Sequence, residues 1–343
     1  MRFSEIIGNE KVKDVLLRFS IEERVGHAYI FEGPKGVGKL STARAFAQLL
    51  LCLNPSKEGA CGECKNCKLC ETESHPDIRI ITNQLYDGSK KSKDILVDTV
   101  RNMKNEIYIK PYQADRKVYI VPGADTMNVY AQNSLLKVLE EPPKYCCIIL
   151  IAENSDMFLP TVLSRAVTLR FDPIPAREVQ AYLLEKHPEL SEEEAAVVAN
   201  TCDGSIGKAT ELIGDEEAFE LRKNVMHELC NMFESGKTSI YKFMLFLKHN
   251  KDEISFIMNV MKSFFRDLLY FKSTNVENLI VNKDMISDIE KYMTSVSENN
   301  ILRSLEILFK YEDYFSKNIN YATAVQCMSM ELWEEIHDRG YRS

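Results

Sequence analysis

Apolar residues follow two alternating patterns in the first half of the chain. Some recur at helical spacing, and others form short continuous runs typical of buried strands. The runs predict strands at residues 28–31, 77–81, 118–121 and 146–151, and the periodic stretches predict helices at residues 10–23, 41–53, 97–107 and 131–141. The polar stretch at residues 84–93 predicts a surface loop. Strands that alternate with helices predict a parallel sheet covered by helices on both faces, which is an α/β fold.

The pattern changes at the proline-containing stretch of residues 171–175. Beyond it only helical periodicities remain. A first small helical region ends in a stretch that contains Gly204, Gly207 and Gly214. We therefore predict three domains. An α/β domain covers residues 1–172 with a cysteine-rich insertion at 52–70, a small helical lid covers 173–214, and a larger all-helical domain covers 215–343.

The composition is that of an ordinary globular chain with an acidic balance. Of the 343 residues, 45% are hydrophobic and 27% charged, and the formal net charge is -8. No apolar run approaches the roughly 20 residues that span a bilayer, and the N-terminus lacks a signal-peptide pattern. We therefore expect a soluble, cytoplasmic protein that does not act at a membrane. The negative charge argues against a nucleic-acid footprint over the whole chain.

A phosphate-binding loop follows the first predicted strand. Residues 33–39 have the frame G-x-x-x-x-G-K, in which backbone N–H groups surround phosphate oxygens and the lysine reaches the terminal phosphates. We assign Gly33, Gly38 and Lys39 to this loop. The next residue normally gives a hydroxyl to Mg²⁺, but here it is Leu40, which has no oxygen to give. The motif therefore predicts the fold more strongly than it predicts ATP chemistry.

Half of the ten cysteines fall within one short segment. Cys52, Cys61, Cys64 and Cys67 are spaced C-x₈-C-x₂-C-x₂-C, and each C-x₂-C step lets a tight turn present two sulfurs to one tetrahedral metal ion. Cys70 lies one further C-x₂-C step along and is the alternative to Cys67 as fourth ligand. In a reducing compartment this cluster predicts a structural zinc site, with an iron–sulfur cluster or unliganded cysteines as the alternatives.

The remaining metal-ligand residue types have simpler interpretations. His75 precedes a proline at the entry of a predicted strand and is not assigned to the metal. Five cysteines stand in apolar surroundings and are predicted to be core residues: Cys146, Cys147, Cys202, Cys230 and Cys327.

Three motifs in the first half of the chain resemble the clamp-loader branch of the AAA+ ATPases. They are HAYIFEGP at residues 27–34, NSLLKVLEEPP at 133–143 and LPTVLSR at 159–165, and the last is similar to that family's Ser-Arg motif. The motifs stand in the family's order. In the helical half the resemblance rests on length and position.

The resemblance implies that this chain lacks the groups that hydrolyse ATP. The family places the metal-binding and water-activating carboxylates at the end of the strand at 118–121, where this chain has Pro122 and Gly123, and Asp125 matches a later position. The lid arginine that contacts phosphate in active subunits falls on Gly207, or a slip in register offers Lys208. We expect no intrinsic ATPase activity. Two alternatives remain for the phosphate loop: it binds a nucleotide without hydrolysing it, or it is vestigial and binds none.

The resemblance gives Arg165 a role in a neighbour's site. In the family this arginine protrudes from one subunit towards the ATP of the next, where a guanidinium on the γ-phosphate offsets charge developing in the transition state. A surface arginine or an intramolecular ion pair is the alternative. Ala166 follows the arginine here, where the family usually has cysteine.

As a whole, the resemblance implies a non-hydrolysing subunit of the bacterial DNA polymerase III clamp loader. Its partners would be gamma/tau motor subunits and a clamp-opening delta subunit in a hetero-oligomeric ring, which loads a sliding clamp on primed DNA. The last domain would form part of the ring's collar. An active gamma/tau-type motor subunit and a free-standing adaptor with the same fold are the alternative functions.

Overall fold

The computed structural model describes residues 2–22, 24–82, 95–234, 236–274, 276, 280–317 and 320–337. The loop predicted at residues 84–93 lies outside these ranges. Five parallel strands form one sheet in the order β2-β3-β4-β1-β5. Along the chain they are β1 (Ala28–Glu32), β2 (Ile78–Ile80), β3 (Lys117–Pro122), β4 (Cys146–Ala152) and β5 (Val167–Arg170).

Helices connect the strands and make up the second half of the described chain. Seven of them accompany the sheet or follow it directly: α1 (Glu10–Ile21), α2 (Lys39–Leu51), α3 (Lys65–Glu71), α4 (Val97–Ile107), α5 (Val129–Glu140), α6 (Pro160–Leu163) and α7 (Ala176–Lys186). The others are α8 (Glu192–Thr201), α9 (Ile206–Leu212), α10 (Glu216–Glu234), α11 (Thr238–His249), α12 (Ile254–Thr274), α13 (Ile286–Met293), α14 (Glu298–Ser316) and α15 (Tyr321–His337).

Alternation along β1 builds two cores, one on each face of the sheet. Tyr29 and Phe31 join the core that contains Phe46 of α2, whereas Ala28 and Ile30 join the core that contains Leu135 of α5. This follows from the two-residue period of a strand. Because helices cover both faces, β4 is buried along its whole length, which suits its uninterrupted apolar sequence. The α/β prediction is confirmed.

The sequence-based prediction missed the strand β5 and the short helices α3 and α6. The strand β5 pairs with β1 at the edge of the sheet and is mostly exposed, so it lacks the apolar run by which the other strands were predicted. Helix α3 has only seven residues and lies inside the cysteine-rich insertion. The prediction that Cys327 is a core residue is wrong, because its side chain is exposed on α15, whereas Cys146, Cys147 and Cys202 are buried.

The chain divides into two compact units. One contains Met1–Glu178 with Ser205–Gly207, and the other contains Val179–Gly204 with Lys208–Ser343. The second unit has its own apolar core around α12, whose Ile257, Phe264 and Leu268 have no exposed surface. The division into three domains stays a prediction. Within the described ranges no helix combines the length and apolar character needed to cross a membrane.

Candidate functional site

The phosphate loop joins β1 to α2 and depends on its glycines for backbone reasons. Gly33 has φ +150, and a Cβ at this position would lie 2.3 Å from the carbonyl oxygen of Phe171. Gly38 has φ +92 and stands immediately before the first residue of α2. Since side chains are disfavoured at both positions, the fold keeps these glycines whether or not a nucleotide is bound.

Lys39, the lysine of the motif, is directed at its own loop. Its side chain is buried, and Nζ donates hydrogen bonds to the carbonyl oxygens of Gly33 and Pro34. Burial lowers the pKa of Lys39, and the nearby carboxylates of Glu153 and Asp125 act in the opposite direction. The ammonium group therefore already has acceptors within the protein, with which a phosphate would have to compete.

A second segment closes over the middle of the loop. The Gly207 N–H donates to the carbonyl oxygen of Gly36 at 3.3 Å, and Ser205 Oγ lies 2.0 Å from the point where a Cβ on Gly36 would be. The sequence singled out Gly207 because the family's lid arginine falls there. Sequence reasoning missed Ser205, whose contact joins positions 169 residues apart.

The side chains at the three positions where the resemblance expects Mg²⁺ ligands and the water-activating carboxylate carry no oxygen. Leu40 is the second residue of α2 and is about one-third exposed. Pro122 ends β3, and Gly123 adopts φ +66 before a short 3₁₀ turn. The loop geometry is therefore present without the hydroxyl and carboxylates that would hold and use a metal ion.

Two acidic residues, Asp125 and Glu153, do lie near the loop. Asp125 Oδ2 accepts a hydrogen bond from the Glu153 backbone at 2.8 Å, and Glu153 Oε1 lies 3.1 Å from Lys35 Nζ. Both carboxylates are thus engaged with protein groups. Sequence reasoning missed Glu153, although its place directly after a buried strand that ends beside the loop could have indicated it.

Arg165, the predicted finger, lies just after α6 and is paired within its own chain. Its Nη1 donates to the carbonyl oxygen of Thr161 at 2.9 Å and to Ser164 Oγ at 3.1 Å, and its Nη2 lies 3.0 Å from Glu140 Oε1. About a third of the arginine side chain is exposed. An exposed ion pair of this kind is typically worth less than about 1 kcal/mol, so the guanidinium can exchange partners at small cost.

Four thiols of the cysteine-rich insertion converge on one point. The sulfur atoms of Cys52, Cys61, Cys64 and Cys67 all lie within 4.8 Å of one another, and those of Cys61 and Cys67 are 3.9 Å apart. A tetrahedron with metal–sulfur bonds of about 2.3 Å has edges of about 3.8 Å. The donor set therefore fits a single metal ion. Cys70, the alternative fourth ligand, does not belong to this group of thiols.

Backbone groups favour the ionised forms of Cys61 and Cys64, whereas burial raises the pKa of Cys52 and Cys67. The N–H groups of Cys61, Cys64 and Cys67 point to sulfurs of preceding cysteines at 3.2, 3.4 and 3.5 Å. Although burial raises the pKa of Cys64, hydrogen bonds from the backbone of Leu53 and Cys67 bring it down to about 6. A metal ion bound there would act as a structural cross-link, since four protein ligands leave no open position.

Hydrogen bonds between the insertion and the rest of the first unit hold this cluster in place. Asn66 is fully buried, donates to the Leu51 carbonyl at 2.7 Å and accepts from Gln113 at 2.9 Å. The Gln48 amide reaches the Cys67 carbonyl at 3.4 Å. The ligand loop is thereby fixed to the end of α2, the helix that begins at the phosphate loop.

A parallel sheet in this strand order, with a phosphate loop after β1 and a cysteine insertion after the following helix, defines a P-loop protein of the AAA+ class. Sequence comparison identifies the family within the AAA+ class. Models of the families "DNA polymerase III, delta subunit" and "DNA polymerase III, delta subunit, C terminal" match residues 8–175 and 216–323. The chain belongs to this family of DNA polymerase III clamp-loader subunits.

The chain is also similar to individual proteins. DNA polymerase III subunit delta′ of Bacillus subtilis is 29% identical over 325 residues, covering 93% of this chain and 94% of the relative. Subunit tau of the same organism is 28% identical over 222 residues, covering 64% of this chain but only 38% of tau. A solved gamma subunit-related protein of Thermotoga maritima aligns with a TM-score of 0.40 at 15% identity, covering 94% of this chain and 99% of that one.

Proposed function

We propose that this chain is a non-hydrolysing, delta-prime-like clamp-loader subunit that completes the ATP site of a neighbouring subunit. The observation that carries the proposal is the state of its own phosphate loop. The loop keeps its backbone geometry, yet Leu40, Pro122 and Gly123 offer no metal ligand, and Lys39 is bonded to loop carbonyls. ATP chemistry assisted by this chain then takes place outside its own loop.

Arg165 supplies the chemistry in this proposal. On assembly its guanidinium leaves the exposed pair with Glu140 and approaches the γ-phosphate held by the neighbour, where it stabilises negative charge in the transition state. Its exposure and its position beside the edge strand β5 support this role.

The assembly follows from the named relatives. We infer a hetero-oligomeric ring with gamma/tau-type and delta-type subunits, in which residues 173–214 act as a lid and residues 215–343 contribute to a collar. The complex would place a sliding clamp on primed DNA in the cytoplasm, where the bacterial chromosome is copied. The match to delta′, which covers 93% of this chain and 94% of that relative, supports a delta-prime-like subunit.

A reconstituted complex tests the proposal. Arg165→Ala should lower ATP turnover at the completed site by roughly 10³-fold or more, because that is the range over which an arginine finger acts. Arg165→Lys should also be impaired, since an ammonium group cannot reproduce the planar fork of donors. DNA-stimulated ATPase activity and clamp loading are the measurements.

Arg170→Ala is the matched control. Arg170 lies five residues further on, its side chain is 80% exposed, and its partner is Glu32 of its own chain. This variant should assemble and hydrolyse ATP like the wild type. Unchanged turnover with Arg165→Ala in an assembled complex would refute the finger, and ATP turnover by the purified chain alone would favour the motor-subunit alternative.

We further propose that the metal ion at the four thiols is zinc. An all-thiolate tetrahedral set in a protein of the reducing cytoplasm suits Zn²⁺. Bound there, zinc would lock the insertion to the end of α2 and take no part in ATP chemistry.

A further inference from the structure

The segment of residues 108–116 connects α4 to β3 and carries apolar side chains on the protein surface. Tyr108 and Ile109 are about half exposed, and Tyr112 is 72% exposed. Residues 111–116 belong to no helix or strand. Any hydrogen bonds that order this stretch of backbone must therefore come from outside regular secondary structure.

Asp77, which directly precedes β2, supplies those hydrogen bonds. Its side chain has no exposed surface. The carboxylate accepts hydrogen bonds from the backbone N–H groups of Tyr112, Gln113 and Ala114, at 2.7, 2.8 and 2.9 Å. Hydrogen bonds to an ionised acceptor are roughly twice as strong as those between neutral groups. Asp77 therefore fixes the turn from which the side chain of Gln113 extends.

Gln113 reaches from this turn to the cysteine-rich insertion. Its Nε2 donates to Oδ1 of the fully buried Asn66 at 2.9 Å, and Asn66 in turn donates to the Leu51 carbonyl oxygen at 2.7 Å. Asn66 is the second residue of α3, which begins after Cys64 and contains Cys67. Gln113 is thus bonded to the short helix that positions two of the four thiols.

Helix α3 depends on such contacts. It has seven residues, and isolated helices shorter than about 12–15 residues are marginal in water. The groups that hold it are the amides of Gln113 and Gln48, the Leu51 carbonyl oxygen and, when it is bound, the metal ion. The metal ion and Gln113 therefore act on the same small element from two sides.

We propose that Gln113 is a positioning residue for the metal site, and that a metal ion bound at the four thiols in turn orders residues 112–114. This inference rests on the proposed metal site. A metal ion that fixes Cys64 and Cys67 holds Asn66 where Gln113 can bond it. If the ordered turn raises the affinity for the metal, the metal must stabilise the turn by the same factor.

The affinity of the full chain for Zn²⁺, measured by competition with a chelating dye, tests one direction of this coupling. Gln113→Ala and Gln113→Glu should each weaken zinc binding about threefold to tenfold, which is the range that one hydrogen bond supplies. Gln113→Glu keeps the size of the side chain but places an oxygen opposite Asn66 Oδ1, so it separates loss of the donor from loss of bulk. Asp115→Ala changes an exposed side chain of the same segment and should bind zinc like the wild type.

Amide hydrogen exchange tests the other direction. Removing zinc from the wild type should speed exchange at Tyr112 and Ala114 at least about threefold, while the buried Ile149 of β4 reports whether the whole unit opens. In Gln113→Glu, removing zinc should change exchange at the same two amides by less than about twofold. A merely structural role for Gln113 would alter both forms alike and leave the dependence on zinc in place.

The outcomes distinguish the coupling from the metal site on which it rests. A wild-type chain that binds no zinc would reject the metal site and the coupling together. Zinc binding of unchanged affinity in both Gln113 variants would overturn the coupling alone and leave the zinc site standing. The same conclusion would follow from exchange at Tyr112 and Ala114 that does not respond to zinc in the wild type.

Discussion

At the scale of single residues, Lys39 shows how a ligand-binding residue can become a structural one. Its ammonium group bonds the carbonyl oxygens of Gly33 and Pro34 and is buried against the loop. Hydrogen bonds to a charged group typically contribute about 1.5–3 kcal/mol. The lysine is therefore explained by the stability of the loop, without reference to a nucleotide.

Lys39→Met should consequently destabilise the isolated chain. The methionine keeps the buried stem but leaves two carbonyl oxygens without their donor, and we expect a loss of about 1–3 kcal/mol in the free energy of unfolding. Urea denaturation measures this. In the reconstituted complex the same variant should hydrolyse ATP almost as the wild type does, and a large loss of turnover would mean that the loop holds a functional nucleotide.

Restoring one missing group should not restore catalysis. Leu40→Ser returns a hydroxyl at a partly exposed position of α2, yet Pro122 and Gly123 still provide no carboxylate. We expect no ATP turnover by the purified variant, as measured by phosphate release. Adding Gly123→Glu should also strain the backbone by about 1 kcal/mol or more, because φ there is +66. Turnover by Leu40→Ser alone would contradict this explanation of the inactive loop.

Motif spacing predicted the residues of the candidate sites but not their contacts. The positions of Gly33, Gly38 and Lys39 follow from a loop whose backbone geometry requires them. The pairing of Arg165 with Glu140, and the packing of Ser205 on Gly36, depend on the placement of segments far apart in the chain. No local pattern encodes such placements.

At the scale of elements, burial determined what the sequence could predict. Strands β1, β3 and β4 are buried, and their apolar runs identify them. The edge strand β5 is mostly exposed, and α3 is a short helix whose place depends on the convergence of four thiols. Patterns of hydrophobicity therefore predict an apolar strand even at the edge of the sheet, as with β2, but miss the exposed edge strand β5.

The cysteine-rich insertion allows a direct test of the proposed zinc site. Metal analysis of the purified chain should find one zinc ion, and Cys64→Ser should reduce metal affinity at least about tenfold because one of four ligands is lost. Metal retention should fall as the pH is lowered, since protons compete for the thiolates. Cys70→Ser is the control and should keep the metal, because Cys70 lies outside the group of four thiols. Full metal retention by Cys64→Ser would reject the assignment.

At the scale of the whole molecule, the second unit offers apolar surface that its own core does not use. Leu302 and Phe309 are 43% and 58% exposed, and they are seven residues apart on α14. Residues with this separation lie on one side of a helix. If residues 215–343 contribute to a collar, this side is a natural contact for another subunit.

The double variant Leu302→Asp/Phe309→Asp should therefore weaken assembly at least tenfold in a copurification or sedimentation assay. Its thermal stability should stay close to that of the wild type, because exposed substitutions usually change the free energy of unfolding by less than about 0.5 kcal/mol. Ile21→Asp, at a 50% exposed position of α1, is the control and should assemble normally. Normal assembly by the double variant would place the collar contact elsewhere.

Helix α2 sets the distance between two sites, because the phosphate loop lies at one of its ends and the cysteine cluster follows the other. This allows a practical measurement. Its residues Lys39–Leu51 span about 20 Å at 1.5 Å per residue. Cobalt(II) exchanged into the cluster would be a paramagnetic centre at a known separation from the loop. Relaxation measurements on a labelled nucleotide could then locate the occupied sites of the assembled ring from inside this subunit.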